Sequence, residues 1–203
     1  MKKRLLITVA ALCCCLSASA GNGLFSRLHA GLEWGGSFTV LNHYHYNYLD
    51  DAVGFRINEE AVRGMFNLNG YFAGYAGMDV AKELNLSLLL GYESIYDGRE
   101  VMPLSIRLNW YPSGCHSDGL LFFADTGSGI RKSDSMVKRA QIGTGYRLSL
   151  SDYSSLDLRL GIRICHDNPD VWDPVEEEYI SRRNILRNDA HYFALNFGLV
   201  IEF

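Results

Sequence analysis

Eight times along the chain, apolar side chains return at every second residue, and a period of two marks an extended strand whose faces meet different surroundings. In the first segment Leu28, Ala30, Leu32, Trp34, Phe38 and Val40 alternate with His29, Gly31, Glu33, Gly35, Ser37 and Thr39. The seventh is the sharpest, with Leu156, Leu158, Leu160, Ile162 and Ile164 set against Asp157, Arg159, Gly161, Arg163 and Cys165. Between them lie segments at Leu68–Val80, Leu84–Glu93, Leu104–Tyr111, Leu120–Ile130 and Ala140–Ser149, and an eighth runs from Tyr192 to Phe203. The fifth takes its phase from Asp125 alone, because Leu120 to Phe123 are all apolar.

The second face of these segments decides what they can build. It carries Glu33, Asp79, Glu93, Arg107, Asp125, Arg147, Asp157, Arg159, Arg163 and Glu202 among glycines, with no lysine. A soluble sandwich wets its polar face and favours Lys and Thr there. The lumen of a barrel of about eight strands is only wide enough for side chains to fill, so glycines make room and opposite charges pair. We therefore read an all-β protein, an eight-stranded antiparallel up-and-down transmembrane β-barrel with the ten charges as a structural lumen network. Arg147, Arg159 and Arg163 need acids from Asp157, Asp125 and, across the barrel, Glu33 or Glu202. A plug is expected rather than a conducting path, because buried charges are tolerated when paired; a narrow low-conductance pore is the alternative.

Connection lengths alternate in the same sense. Links near Lys82, Pro112–Gly119 and Ser151–Ser154 are short, whereas Leu41 to Met65 and Asp167 to Asp189 are long. Outer-membrane barrels have short periplasmic turns, longer outside loops and aromatic girdles. Trp34, Phe38, Tyr92, Trp110, Tyr146 and Phe203 fall near segment ends on the apolar face.

An address precedes the barrel. Lys2, Lys3 and Arg4 stand before the apolar run Leu5–Leu16, and Ala18-Ser19-Ala20 forms a small-residue cleavage site. Residues 1–20 are thus expected to be a cleaved signal peptide, with 21–203 the barrel domain in the outer membrane. A lipoprotein reading of Cys13, Cys14 and Cys15 is set aside, because Ala11-Leu12 precedes them where a small residue next to the cysteine is needed. Of the remaining cysteines, Cys115 falls in a periplasmic turn and Cys165 at the outer end of a strand, too far apart to bridge. Loss of the three signal cations takes the formal charge from −4 to −7, which argues against a nucleic-acid partner.

The chain resembles the small eight-stranded outer-membrane proteins of the OmpA and OmpX type, grouped with porin-family barrels. The resemblance rests on the signal, the eight segments, the pairs Gly70-Tyr71, Gly74-Tyr75, Gly91-Tyr92 and Gly145-Tyr146, and the terminal Ile201-Glu202-Phe203. It implies a monomer surrounded by outer-membrane lipid and lipopolysaccharide, with a last strand read by the barrel-assembly machinery. No peptidoglycan-binding domain follows Phe203, so a tethering role is not implied.

Chemistry is sparser. His43, Tyr44, His45, Tyr46 and Tyr48 are read as a first outside loop able to contact a partner; Asp50 or Asp51 could complete a metal set, but loop histidines are more often surface contacts. Glu176, Glu177 and Glu178 with Arg182, Arg183 and Arg187 read as a solvated charged tip. Lipid A-modifying barrels pair a histidine with a nearby serine, yet His191 is followed by Tyr192-Phe193 and His166 by Asp167-Asn168. No metal, no cofactor and no catalysis are expected, and the role is read as a non-catalytic envelope or surface one, with binding or adhesion through the loops. A lipocalin-like periplasmic carrier, with apolar residues inside, is the remaining class weighed.

Overall fold

Strands with one apolar and one crowded polar face can hide the polar face by closing on themselves, and this chain does so. The computed structural model describes residues 27–50, 54–95, 99–131, 136–151, 154–173 and 177–203. The signal segment, the site after Ala20, Asp51 and Glu176 lie outside them.

The strands are β1 (Leu28–Leu49), β2 (Arg56–Ala81), β3 (Leu84–Ser94), β4 (Glu100–Trp110), β5 (Gly119–Arg131), β6 (Met136–Ser151), β7 (Ser154–Asp167), β8 (Trp172–Asp173), β9 (Glu178–Tyr179) and β10 (Ile185–Glu202). All but β8 and β9 form one closed barrel in the order β1-β10-β7-β6-β5-β4-β3-β2, every pairing antiparallel. Closure pairs β1 with β10, from Gly31 opposite Glu202 to Tyr48 opposite Ile185. The pair β8–β9 is a small ribbon within the last connection, with Trp172 and Tyr179 packed edge to face.

Burial fixes which way the faces point. Glu33, Arg107, Arg147, Asp157 and Arg163 are at most 2% exposed, while Leu160 on the other face is 65% exposed and Ile106 55%. Leu32, Leu88, Leu90, Leu104, Leu108, Leu158, Ile162, Leu195 and Phe197 complete an uncharged outer band. Such an area of apolar surface is stable against hydrocarbon and not against water, and a closed barrel leaves no backbone edge unsatisfied there. Trp34, Tyr92, Trp110, Tyr146 and Phe203 are exposed in this surface, and Trp110 stacks on Phe122 across strands at 5.4 Å. Among the described residues no helix is long and apolar enough to cross a membrane; the strands do the crossing.

One end of the barrel is tightly turned. Lys82-Glu83 joins β2 to β3, and the first and last strands meet there, since Ala30 and Phe203 exchange backbone hydrogen bonds. In the β4–β5 connection Asp118 accepts the Ser149 backbone N–H at 2.6 Å, which holds its carboxyl below the ordinary aspartate range. A carboxylate with a lowered folded pKa supports the fold above its unfolded value and loses that support as pH falls through the folded one. Hydrogen exchange at the Ser149 amide should therefore stay slow through the usual aspartate range, near pH 4, and accelerate only below it; acceleration at the usual range would show that the bond does not form.

The other end differs from expectation. Leu41 to Met65 is no loop: β1 runs on to Leu49 and β2 starts at Arg56. Membrane strands need only about 9–11 residues, whereas β1, β2 and β10 have 22, 26 and 18. The excess makes a three-stranded wall standing roughly 20–30 Å beyond the apolar band. A register shift at Val40 separates wall from barrel and inverts the phase, so that odd residues face inward before it and even residues after it.

An ion-paired lumen and a projecting wall as candidate functional site

Two ion-pair clusters fill the barrel. In the first, Arg107 donates to Glu33 Oε2 at 2.5 Å and Asp125 Oδ2 at 2.9 Å, and Arg139 donates to Glu93 Oε2 at 2.7 Å and Asp125 Oδ1 at 3.2 Å. Arg163 pairs with Glu93. Glu93 is not among the acids expected for Arg147, Arg159 and Arg163. Three arginines and three acids balance, and Tyr71 adds a hydroxyl donated to Glu33 at 3.1 Å.

The second cluster is centred on Arg147. Its guanidinium donates to Asp157 Oδ1 at 2.7 Å, to Glu202 Oε1 and Oε2 at 3.0 Å each, to the Tyr111 hydroxyl at 2.8 Å and to the Cys115 carbonyl at 2.5 Å. Arg159 shares Asp157 at 2.7 Å, and Tyr75 donates to Glu202 at 2.7 Å. Phe123 lies between the clusters, with Arg107 and Arg159 over its ring at 5.0 and 5.3 Å.

Apolar groups cluster toward both ends. Tyr44, Ile95, Val101, Val137, Cys165, Ala190 and Tyr192 pack together toward the wall, and Tyr111, Cys115, Leu121 and Phe123 toward the tight turns. The two cysteines are free and sit in these separate clusters. A cavity of about 10 Å³ beside Ser37, Arg163 and Tyr192 is the size of a single water.

Asp79 stands apart from the arginines, at the turned end, hydrogen-bonded to His29 at 2.8 Å and with His116 Nε2 3.1 Å away. Arg139 lies just outside the alternating segment that begins at Ala140, although the phase of Gln141 carried back two residues reaches it. His29 and His116 gave no signal, since their approach depends on barrel closure.

The aromatic-histidine stretch lies on β1 and not in a loop. Tyr44 and Tyr48 turn inward and are buried, while His43, His45 and Tyr46 are half-buried. Alternating tyrosines are good strand formers, and neighbours on both sides hold them. Tyr44 donates to Glu59 at 2.5 Å, His43 meets Glu60 at 3.0 Å and His45 meets Asn58 at 2.8 Å. In register across the outer face run His43, His191, His166 and Lys138, next to the apolar band that begins with Leu41, Phe193 and Ile164 on the same face. From Arg56 to Asn67, β2 pairs only with β1 among the described residues, whereas its pairing with β3 begins at Tyr71. In the last loop Glu177, Glu178, Arg182 and Arg183 are exposed, Arg182 facing Asp170 at 3.6 Å.

A closed antiparallel ring of eight strands, greasy outside and ion-paired within, is the architecture of small outer-membrane barrels. Among solved structures the chain is similar to the outer membrane protein OprG from Pseudomonas aeruginosa, with 10% identity over 87% of this chain and 96% of that one and a TM-score of 0.44. It is also similar to the outer membrane protease OmpT from Escherichia coli, with 8% identity over 87% and 97% and a TM-score of 0.37. No protein-family model and no curated protein matches the sequence. One of these structures is a protease, and the expectation that this chain has no catalysis is therefore withdrawn. A likeness at 8% identity concerns the fold and assigns no activity to this chain.

Proposed function

We propose that the protein is exported, loses its signal after Ala20 and serves in the outer membrane as a non-conducting barrel that presents the β2–β1–β10 wall outside the cell. The observation that supports this reading is the lumen, which holds two charge-balanced ion clusters with an apolar cluster toward each end. The wall supplies a contact surface, because the Arg56–Asn67 edge of β2, which pairs only with β1 among the described residues, offers a row of backbone donors and acceptors to a partner. Exposed Phe55, Val62 and Phe66 border that edge. The row His43, His191, His166 and Lys138 lies where outer-leaflet headgroups would sit, and its ring N–H and ammonium donors suit the phosphates of lipopolysaccharide. Phe203, ending an alternating strand, remains the proposed handle for barrel assembly.

Single-channel recording on protein refolded into planar bilayers tests the closed lumen. Silent membranes at all voltages are expected for the natural sequence; steady unitary steps would replace the plug with the pore reading.

A further inference from the structure

Three side chains from distant parts of the chain meet at the tightly turned end, outside both arginine clusters. His29 stands at the start of β1, Asp79 near the end of β2 and His116 in the β4–β5 connection. His29 Nε2 lies 2.8 Å and His116 Nε2 3.1 Å from one oxygen, Asp79 Oδ2, and one ligand atom from each residue lies within 4.8 Å of the others. We propose that His29, Asp79 and His116 form a binding site for a transition-metal dication of the zinc class, facing the periplasm.

The donor set selects the ion. Two imidazoles and one carboxylate suit zinc, cobalt, nickel or copper, whereas calcium and magnesium call for oxygen ligands alone. Three protein ligands with a place left for water is the pattern of an open zinc site. Tetrahedral bonds of about 2.0–2.1 Å place neighbouring donor atoms roughly 3.3 Å apart. The two histidine–aspartate separations are a few tenths of an ångström short of that, and all three ligand atoms lie within 4.8 Å of one another, so an ion would be admitted by local side-chain adjustment.

The surroundings orient the ligands. Asn85 Nδ2 donates to the other carboxylate oxygen, Asp79 Oδ1, at 2.9 Å, which turns Oδ2 toward the imidazoles. Glu202 Oε1 lies 3.9 Å from His29 Nδ1, beyond hydrogen-bond distance, and is itself held by Arg147. Access is one-sided, since the side chain of His116 is 61% exposed and those of His29 and Asp79 are 11% exposed.

Cobalt(II) titration of the refolded full chain in detergent micelles tests the site. One equivalent should bind, with visible d–d bands of four- or five-coordinate cobalt that zinc(II) abolishes. His116→Ala and Asp79→Asn should each weaken binding at least about 100-fold, since second-shell changes alone cost 10–100-fold. The double variant His43→Ala/His45→Ala on the wall should bind as the parent does. Heat-modifiable gel mobility checks that each variant is a barrel; should Asp79→Asn fail to fold, the exposed His116→Ala decides alone. Absence of retained cobalt, undiminished binding by His116→Ala, or loss in the wall variant would overturn the proposal.

Discussion

Replacing Arg147 with leucine is expected to cost the refolded barrel about 3–5 kcal/mol, the penalty for stranding buried acids without their cation. Arg147 is 2% exposed and is shared by Asp157, Glu202, the Tyr111 hydroxyl and the Cys115 carbonyl. Its guanidinium also lies over the Tyr111 ring at 4.2 Å. Removal leaves Asp157 with Arg159 and the Tyr111 hydroxyl, and leaves Glu202 with the Tyr75 hydroxyl and no arginine. Arg147→Lys should fall between the parent and the leucine variant, because a compact ammonium restores charge but not the planar fork that reaches two carboxylates together. The contrast is Arg187→Ala on the wall: Arg187 pairs with Asp189 at 2.6 Å, yet its side chain is 54% exposed, and such pairs contribute about 0–1 kcal/mol. Urea titration in micelles, read as the fraction of heat-resistant fast-migrating band, orders the variants. A leucine variant within about 1 kcal/mol of the parent would mean the acids find water, and the lumen is wetter than its packing shows.

The barrel was legible in the sequence because hydrocarbon tolerates no exceptions. Along β7 every outward residue from Leu156 to Ile164 is Leu or Ile, so phase, direction and extent are all written in one pattern. Even β5, with four apolar residues in succession, is placed by Asp125, since a carboxylate cannot face lipid. Legibility failed where the solvent changes. Beyond the band both faces of a strand meet water or protein, and the shift at Val40 inverts the phase, so the continuation of β1 through Tyr44 and Tyr48 read as a loop. Partner choice was hidden too. Arg107 and Glu33 lie 74 residues apart and Arg163 and Glu93 70, distances that only closure resolves. The cluster of His29, Asp79 and His116 is the extreme case, a local arrangement with no local sequence signature.

Gly143→Leu is expected to prevent recovery of a heat-resistant barrel, or to destabilise it by at least about 3 kcal/mol, the upper range for overpacking a tight interior. Gly143 pairs with Gly161 on β7 and with Phe123 on β5. The Phe123 ring lies against this bare backbone: a Cβ on Gly143 would stand 2.5 Å from Phe123 Cζ and 2.3 Å from the Leu160 carbonyl oxygen, and one on Gly161 3.2 Å from the same Cζ. The ring carries Arg107 of one ion cluster and Arg159 of the other on its surface, so displacing it disturbs both. Phe123→Ala should itself cost about 3–5 kcal/mol through the void it leaves. The double variant separates the two clashes. Removing the ring relieves the side-chain part and leaves the contact with Leu160 oxygen, so Gly143→Leu/Phe123→Ala should be less destabilised than the two single changes together. Additivity within about 0.5 kcal/mol would show that ring and glycine do not share this space, and a Gly143→Leu barrel of parental stability would show that the lumen has room the packing denies.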